Sequence, residues 1–156
     1  MSGAADAHLL GGIAIVVGSS GGIGSALHER LSAQSGFGAV LGLGRRSSPP
    51  LDLTDEESIA GAARHVAGLG RDVRLIIDAS GILHDDGLSP EKSWRDLDAA
   101  QMAKAFAVNA IGPALLMKHF LPLLPRQGRS VFATLSARVG SIGDNRLGGW
   151  YSYRAS

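Results

Sequence analysis

Residues 13–24, IAIVVGSSGGIG, decide the fold of this chain. The first five are uninterrupted, apolar and rich in β-branched side chains, which is typical of a strand buried on both faces of a parallel sheet. Apolar residues then recur at helical spacing over residues 23–33. Between strand and helix, Gly18, Gly22 and Gly24 suit a tight turn that has no room for a Cβ. Because the first N–H groups of the helix point out of such a turn, the stretch predicts a phosphate-binding site.

Two other motifs overlap these glycines. Residues 18–22 also satisfy G-x-S-x-G, the nucleophile elbow of the α/β-hydrolases, with Ser20 as the nucleophile. Asp78 and His119 follow in the chain order of such a triad, although no motif pairs them with Ser20. The elbow leaves Gly24 unexplained, so the hydrolase is a remote alternative. A P-loop is excluded because neither Lys-Ser nor Lys-Thr follows the glycines.

Strands and helices alternate along the rest of the chain. Apolar runs at residues 39–43, 73–77 and 130–135 predict three more strands, and residues 93–106 and 109–124 have helical patterns. Thr54 is the predicted N-cap of a further helix, with Glu57 completing a capping box. This alternation predicts an α/β fold with a doubly wound parallel sheet of the Rossmann type, in a single domain over residues 1–156.

The composition limits the functions that the chain can have. Its 156 residues carry a formal net charge of +1 and no basic run longer than two residues, which argues against nucleic acid as a partner. The chain has no cysteine, and its histidines lack metal-ligand spacing, so neither a thiolate nucleophile nor a metal site is expected. We predict no signal peptide, no membrane span and a cytoplasmic location.

The end of the second predicted strand bears on the choice of nucleotide. A dinucleotide site usually has an acidic residue there to bind the adenosine ribose hydroxyls. This chain instead has Arg45 and Arg46, and no carboxylate stands at that point. Two guanidinium groups suit a 2′-phosphate, which they can bind through charge-assisted hydrogen bonds. The sequence therefore predicts NADP(H) in preference to NAD(H).

From Ile13 to Ser156 the chain resembles the short-chain dehydrogenases/reductases. VGSSGGIG is similar to the TGxxxGxG motif of that family, with Val17 in place of Thr. Asp52-Leu53 resembles the pair that contacts the adenine ring. Residues 78–81, DASG, stand where the family has NNAG, and only Gly81 matches that motif strictly. Motifs and resemblance together predict these cofactor-binding residues: Gly18, Ser20, Gly22, Ile23, Gly24, Arg45, Arg46, Asp52, Leu53, Ala79, Ser80, Gly81 and Asn109.

The resemblance also implies catalytic residues. A carbonyl that accepts hydride develops negative charge on oxygen, which calls for a proton donor and a second hydrogen bond. Residues 153–156, YRAS, resemble the YxxxK motif as far as its lysine, so Tyr153 is the implied proton donor. Asn109, in AFAVNAIG, is implied to hold a water of the proton relay. Ser136, at the end of the last strand, is the predicted serine, and Ser141 is the alternative.

GILHDDG and the segment from Leu135 to Ser156 further resemble the C-factor branch of the family, which is similar to the carbonyl reductase sniffer. The implied substrate is a small carbonyl compound or alcohol, and members of the family often form homo-oligomers. The given sequence stops where the lysine of YxxxK is expected. We therefore expect the C-terminal part of the fold to be missing and this chain alone to be inactive. The alternative function is an NADP(H)-binding or regulatory protein without catalysis.

Overall fold

A parallel sheet forms the centre of the molecule. The computed structural model describes residues 11–33, 36–85 and 87–156. Within them, four strands pair in the order β2-β1-β3-β4, and every pair is parallel. The strands are β1 (Ile13–Val17), β2 (Ala39–Leu43), β3 (Val73–Asp78) and β4 (Val131–Thr134).

Helices connect the strands. They are α1 (Gly22–Ser32), α2 (Glu56–Gly68), α3 (Ala99–Phe106), a π-helical segment (Ala107–Ile111), α4 (Gly112–Phe120) and α5 (Tyr151–Ala155). Single 3₁₀ turns stand at Trp94–Asp96, Leu121–Leu123 and Arg138–Gly140. The predicted alternation of strands and helices is thus confirmed.

The core lies on both faces of the sheet. All five residues of β1 are buried, as the unbroken apolar run predicted. Ile13, Ile15 and Val17 pack with α2 and α4 on one face. Ala14 and Val16 pack with Leu31 of α1 on the other. Helices therefore cover both faces, and the predicted doubly wound sheet of the Rossmann type is confirmed.

Two sequence-based details of the helices were wrong. Asp55, not Thr54, is the N-cap of α2, and its carboxylate accepts from the N–H of Glu57. The side chain of Thr54 instead donates to Asp52, so it cannot cap. The two helices predicted over residues 93–106 and 109–124 are one continuous helical run from Ala99 to Leu123. The break expected before Asn109 is a π turn, which widens the helix without ending it.

This helical run is apolar as well as long. An 18-residue window within its 25 residues has a mean hydropathy of 1.3, so by length and composition alone it could cross a membrane. Leu116 and Phe120 are fully buried against the sheet, as in the core helix of a globular domain. Ile111, Met117 and Leu121 are exposed. The expected absence of a membrane partner stays a prediction.

The sheet topology fixes where a ligand can bind. β2 lies on one side of β1 and β3 on the other, so the chain changes direction across the sheet at β1. In open α/β sheets, ligands bind at the carboxyl ends of the strands beside such a switch point. Here the crevice lies between the glycine turn after β1 and residues 79–81 after β3.

Candidate active site

The turn after β1 is closed by two glycines that cannot be replaced without a shift of the backbone. Gly18 has φ +78°, and its N–H donates to the carbonyl of Leu43 at 2.8 Å. A Cβ at Gly18 would lie 3.0 Å from the carbonyl oxygen of Ala79. A Cβ at Gly24 would lie 2.1 Å from the carbonyl oxygen of Gly18, well inside van der Waals contact. These glycines let α1 and β3 approach the end of β1.

The start of α1 faces open space. Its N-cap, Gly21, has no side chain to accept from the first N–H groups of the helix, and the first turn has no acidic residue. A Cβ at Gly22 would meet no atom within 4 Å. Ile23 is apolar and yet 64% exposed. Unpartnered N–H groups at a helix N-terminus, with room in front of them, fit the pyrophosphate of a dinucleotide.

The hydrolase triad is not assembled. Ser20 is exposed on the glycine turn. Asp78 is fully buried and accepts from the N–H and the hydroxyl of Ser80. His119 contacts Glu56 at 2.9 Å, between α4 and α2. Each proposed partner of Ser20 is therefore engaged elsewhere, which removes the support for that alternative.

Arg45 and Arg46 are exposed at the carboxyl end of β2, next to the glycine turn. Among the residues with described positions, neither guanidinium group forms a salt bridge. Asp52 follows in the same loop, and its Oδ1 accepts from the N–H of Thr54 at 2.9 Å and from the Thr54 hydroxyl at 2.7 Å. These two hydrogen bonds, aided by the charge of Arg45, hold the pKa of Asp52 below its ordinary value.

Leu53, the second residue of the predicted adenine pair, packs inward. It is half-buried against the core cluster, and a Cβ at Gly112 would lie 2.7 Å from the Leu53 Cβ. The absence of a side chain at Gly112 thus allows α4 to approach the loop that carries Asp52.

Asp78 ends β3 with a buried carboxyl. Its Oδ1 accepts from the Ser80 N–H at 3.0 Å, whereas Oδ2 has no hydrogen-bond partner among the described residues. Burial raises the pKa of Asp78, and the hydrogen bonds from Ser80 and Thr134 offset this only in part. The carboxyl therefore holds its proton to higher pH than an exposed aspartate does.

Asn109 lies in the π-helical segment, where the helix is widened. Its Oδ1 accepts from the Ile82 N–H at 2.8 Å, and its Nδ2 donates to the Ile82 carbonyl at 2.9 Å. The same Nδ2 also donates to the Ser156 hydroxyl at 3.1 Å. One amide side chain thus connects the loop after β3 with the end of α5. Single π turns are often found at functional sites.

A cleft of about 780 Å³ lies at this end of the sheet. Asn109, Tyr153 and both candidate serines, Ser136 and Ser141, line it together. Of the predicted cofactor residues, these also line it: Ile23, Ala79, Ser80 and Gly81. The remaining ones do not: Gly18, Ser20, Gly22, Gly24, Arg45, Arg46, Asp52 and Leu53. The last group lies along the ends of β1 and β2, on one side of the cleft.

Sequence reasoning missed two further residues that shape the site. Glu91 is only 4% exposed, and its carboxylate binds Ser152 at the start of α5. Arg154, also lining the cleft, donates to the carbonyls of Val139, Gly148 and Gly149 at 2.6, 3.0 and 2.8 Å. Neither residue belongs to a motif that could have indicated its role.

The chain is similar to known dehydrogenases and reductases. Residues 18–152 match the family described as enoyl-(acyl carrier protein) reductase. The chain is 30% identical over 151 residues to 1-hydroxy-2-glutathionyl-2-methyl-3-butene dehydrogenase of Rhodococcus sp. (strain AD45), covering 91% of this chain and 63% of that protein. It is 39% identical over 61 residues to the C-signal protein of Myxococcus xanthus, covering 39% of this chain and 37% of that protein.

A solved structure shows the same fold. The NADPH-bound carbonyl reductase from chicken fatty liver superimposes with a TM-score of 0.77 at 27% identity, covering 94% of this chain and 66% of that one. The chain thus spans less than two thirds of the length of each of these three proteins. The match to the family covers most of the chain, and the dehydrogenase and reductase relatives agree with it. The chain therefore belongs to the short-chain dehydrogenase/reductase superfamily.

Proposed function

We propose that the protein is an NADP(H)-dependent oxidoreductase that transfers hydride between nicotinamide and a small carbonyl or alcohol substrate. One observation carries this proposal: Asn109, Tyr153, Ser136 and Ser141 line a single cleft beside the switch point of the sheet. A cofactor whose pyrophosphate lay at the start of α1 would reach this cleft past Ile23 and residues 79–81.

Each cleft residue has a separate task in carbonyl reduction. Bound NADPH supplies the hydride. Tyr153 gives its phenolic proton to the developing alkoxide, and one of the two serines donates a hydrogen bond to the same oxygen. Asn109 holds the loop after β3 against α5, and its further proposed task is to hold a water of the proton relay. A cation beside the proton donor would favour the phenolate that remains after proton transfer.

The choice of NADP(H) over NAD(H) rests on Arg45 and Arg46. Both side chains are exposed at the end of β2, where the adenosine ribose of a dinucleotide lies. The NADPH-bound carbonyl reductase is a relative with the same fold, which supports this choice. The proposed location is cytoplasmic, and the proposed assembly is a homo-oligomer.

A second candidate function is NADP(H) binding without catalysis. Within the described residues, no lysine lines the cleft. The cations that line it are Arg154, which is bound to three backbone carbonyls, and Arg138, which pairs with Asp144. Cofactor binding without turnover of any carbonyl compound would favour this candidate.

The test of the proposed function is the reduction of a panel of ketones and aldehydes by the full-length protein, measured as the loss of NADPH absorbance. We expect Tyr153→Phe to lower kcat by about 100- to 10,000-fold, since it removes the proton donor. Tyr151→Phe is the matched control, because it removes a neighbouring phenol that does not line the cleft. Equal activity of the two variants would contradict the assignment of Tyr153.

The two serines can be separated in the same assay. Ser136→Ala and Ser141→Ala remove one hydroxyl each from the cleft. The variant that loses the hydrogen bond to the alkoxide should lose about 100- to 1,000-fold in kcat, with little change in the affinity for NADPH. If neither variant changes kcat, the second hydrogen bond comes from another group.

Cofactor preference is tested on the arginines. Arg45→Ala with Arg46→Ala should raise the KM for NADPH by roughly ten- to a hundredfold, the range for loss of hydrogen bonds to a charged group, and leave the KM for NADH unchanged. Arg30→Ala, which removes an exposed arginine from the last turn of α1, is the control. An equal rise for both cofactors would contradict recognition of the 2′-phosphate.

A further inference from the structure

The helix that carries Tyr153 begins without a cap of its own. Its N-cap residue, Trp150, has a left-handed backbone with φ +54° and makes no side-chain hydrogen bond to the first turn. The chain reaches it through Gly148 and Gly149, each with φ +64°. The first N–H groups of a helix have no partner inside the helix. Those of α5 must therefore find acceptors elsewhere.

Glu91 supplies these acceptors from 61 residues away in sequence. Both oxygens of its carboxylate lie 3.3 Å from the N–H of Ser152, and the Ser152 hydroxyl donates to Oε1. Its backbone carbonyl accepts from the N–H of Trp150 at 2.6 Å. The backbone carbonyl of Glu91 thus binds Trp150, and its carboxylate binds Ser152, so one residue holds the start of α5 at two positions.

The backbone of Glu91 lies too close to Gly149 for a side chain at that position. A Cβ there would lie 3.0 Å from the carbonyl oxygen of Glu91. Glu91 and Ser152 are each only 4% exposed, so water does not compete for their contact. Among the described residues, no Lys, Arg or His forms a salt bridge with Glu91. The carboxylate is therefore stabilised by N–H and O–H donors and by the positive end of the helix dipole.

The loop that carries Glu91 is itself fixed. Ser93 and Asp96 form a capping box, in which the Ser93 N–H donates to the Asp96 carboxylate at 2.9 Å. Asp98 then caps α3 through the N–H of Gln101 at 2.8 Å. Burial by itself raises the pKa of Glu91, but the hydrogen bonds from Ser152 and the backbone outweigh it, so the pKa lies below its ordinary value. A fixed and ionised carboxylate is suited to orient a helix.

We propose that Glu91 is a positioning residue, which caps α5 from the loop before α3 and thereby sets the orientation of Tyr153 in the cleft. Tyr153 lies two residues after Tyr151, the first residue of α5, and its ring meets the Trp150 ring edge-on, with the centroids 6.3 Å apart. If the start of α5 moved, the phenol of Tyr153 would move with it. The catalytic part of this inference rests on the proposed function, whereas the capping part does not.

The test combines hydrogen exchange with kinetics on the full-length protein. In Glu91→Ala, the amides of residues 151–155 should exchange about tenfold faster or more, while those of β1 keep their protection, since one cap is worth about a tenfold change in local opening. Glu91→Gln retains one acceptor oxygen and should recover part of the protection. Glu57→Gln, an exposed carboxylate on α2 that pairs with Arg64, is the matched control.

Kinetics then separate positioning from general stability. Glu91→Ala should lower kcat by about tenfold or more, with the Kd for NADPH nearly unchanged, because α5 but not the glycine turn has moved. Glu91→Gln should fall between Glu91→Ala and the wild type. If Glu91→Ala does not fold, Ser152→Ala gives the same comparison, since it removes the hydroxyl donor and leaves the backbone intact.

Unchanged exchange of residues 151–155 in Glu91→Ala and in Ser152→Ala would overturn the inference. So would faster exchange that is as large in β1 as in α5, because that pattern indicates a loss of global stability. If the wild-type protein reduces no carbonyl compound, the proposed function fails. The exchange experiment still decides whether Glu91 holds the helix.

Discussion

At the scale of single residues, two glycines of one motif have different tasks. Gly24 is buried where α1 meets the end of β1, and a side chain there would collide with the carbonyl of Gly18. Gly22 faces open space at the start of the same helix. The structure shows that Gly24 serves the close packing of α1 on the end of β1 and that the space around Gly22 is open.

Gly24→Ala and Gly22→Ala should therefore affect different properties: the first should lower stability, and the second should weaken cofactor binding. Gly24→Ala is expected to destabilise the fold by about 1–3 kcal/mol, because a backbone contact 2.1 Å from the new Cβ must be relieved. Gly22→Ala should leave the melting temperature nearly unchanged and weaken NADPH binding, since its methyl group would occupy the space of the pyrophosphate. Thermal unfolding and cofactor titration measure the two effects. A similar melting temperature for both variants would contradict this division of tasks.

Asp78 predicts a pH dependence of stability. Burial raises its pKa in the folded state, so folding favours the protonated carboxyl. Its contribution to stability is therefore complete below the pKa of the unfolded chain and is lost as the pH rises through the raised pKa of the folded state. Asp78→Asn carries no charge at any pH, so its stability relative to the wild type should increase from acid to neutral pH.

Thermal unfolding of both proteins over a pH series checks this expectation. The difference in melting temperature should be smallest in acid and should grow towards neutral pH. Asp98→Asn, at an exposed N-cap, is a control without a buried charge. A difference that shrinks as the pH rises would contradict the raised pKa.

At the scale of secondary-structure elements, α5 holds the loop of residues 138–149 against the cleft. The part of this helix that the structure describes spans Tyr151–Ala155, and tertiary contacts hold it in place. Glu91 holds its start from one side. Arg154 extends to the other side and donates to three carbonyls of the loop. The loop includes Ser141 and begins two residues after Ser136, so its order affects both candidate serines.

Arg154→Met should release this loop. The variant loses three hydrogen bonds to backbone carbonyls while keeping most of the apolar length of the side chain. We expect faster limited proteolysis within residues 138–149 and a higher KM for the carbonyl substrate, with the Kd for NADPH nearly unchanged. Arg146→Met is the matched control, because Arg146 is an exposed residue of the same loop. Equal rates of proteolysis in the two variants would show that Arg154 does not anchor the loop.

At the scale of the whole molecule, one helical run exposes apolar side chains among the described residues. Ile111, Met117 and Leu121 are 54%, 41% and 45% exposed on the helical run from Ala99 to Leu123. Exposed apolar residues on one element often mark an interaction surface. The proposed homo-oligomer would bury them against a second copy, because the opposite side of the same helix already packs on the sheet.

Met117→Glu combined with Leu121→Glu should convert this oligomer into a monomer, since two charges would have to be buried in the interface. Sedimentation velocity measures the change, and Lys118→Glu, exposed on the same helix, is the control. Flotation of the wild-type protein with liposomes, together with a monomer in their absence, would indicate instead that the surface meets lipid.

The sequence by itself determined the class of fold and the order of its elements. An apolar, β-branched run such as residues 13–17 is typical of a strand buried on both faces, and the glycines after it allow a turn that other residues do not. These are local properties, so they can be recognised in a single chain. For the same reason the motifs around Asn109 and Tyr153 could be recognised one by one.

Only the tertiary structure decided which of these residues meet. Asn109, Ser136, Ser141 and Tyr153 come from three separate parts of the chain and converge on one cleft because β3 and β4 end side by side. Asn109, within the π turn, forms long-range hydrogen bonds with Ile82, which no local pattern encodes. Glu91 belongs to no motif, and its importance follows entirely from its burial against the start of α5. Contacts between distant segments depend on how the elements pack, and packing is decided by the whole chain at once.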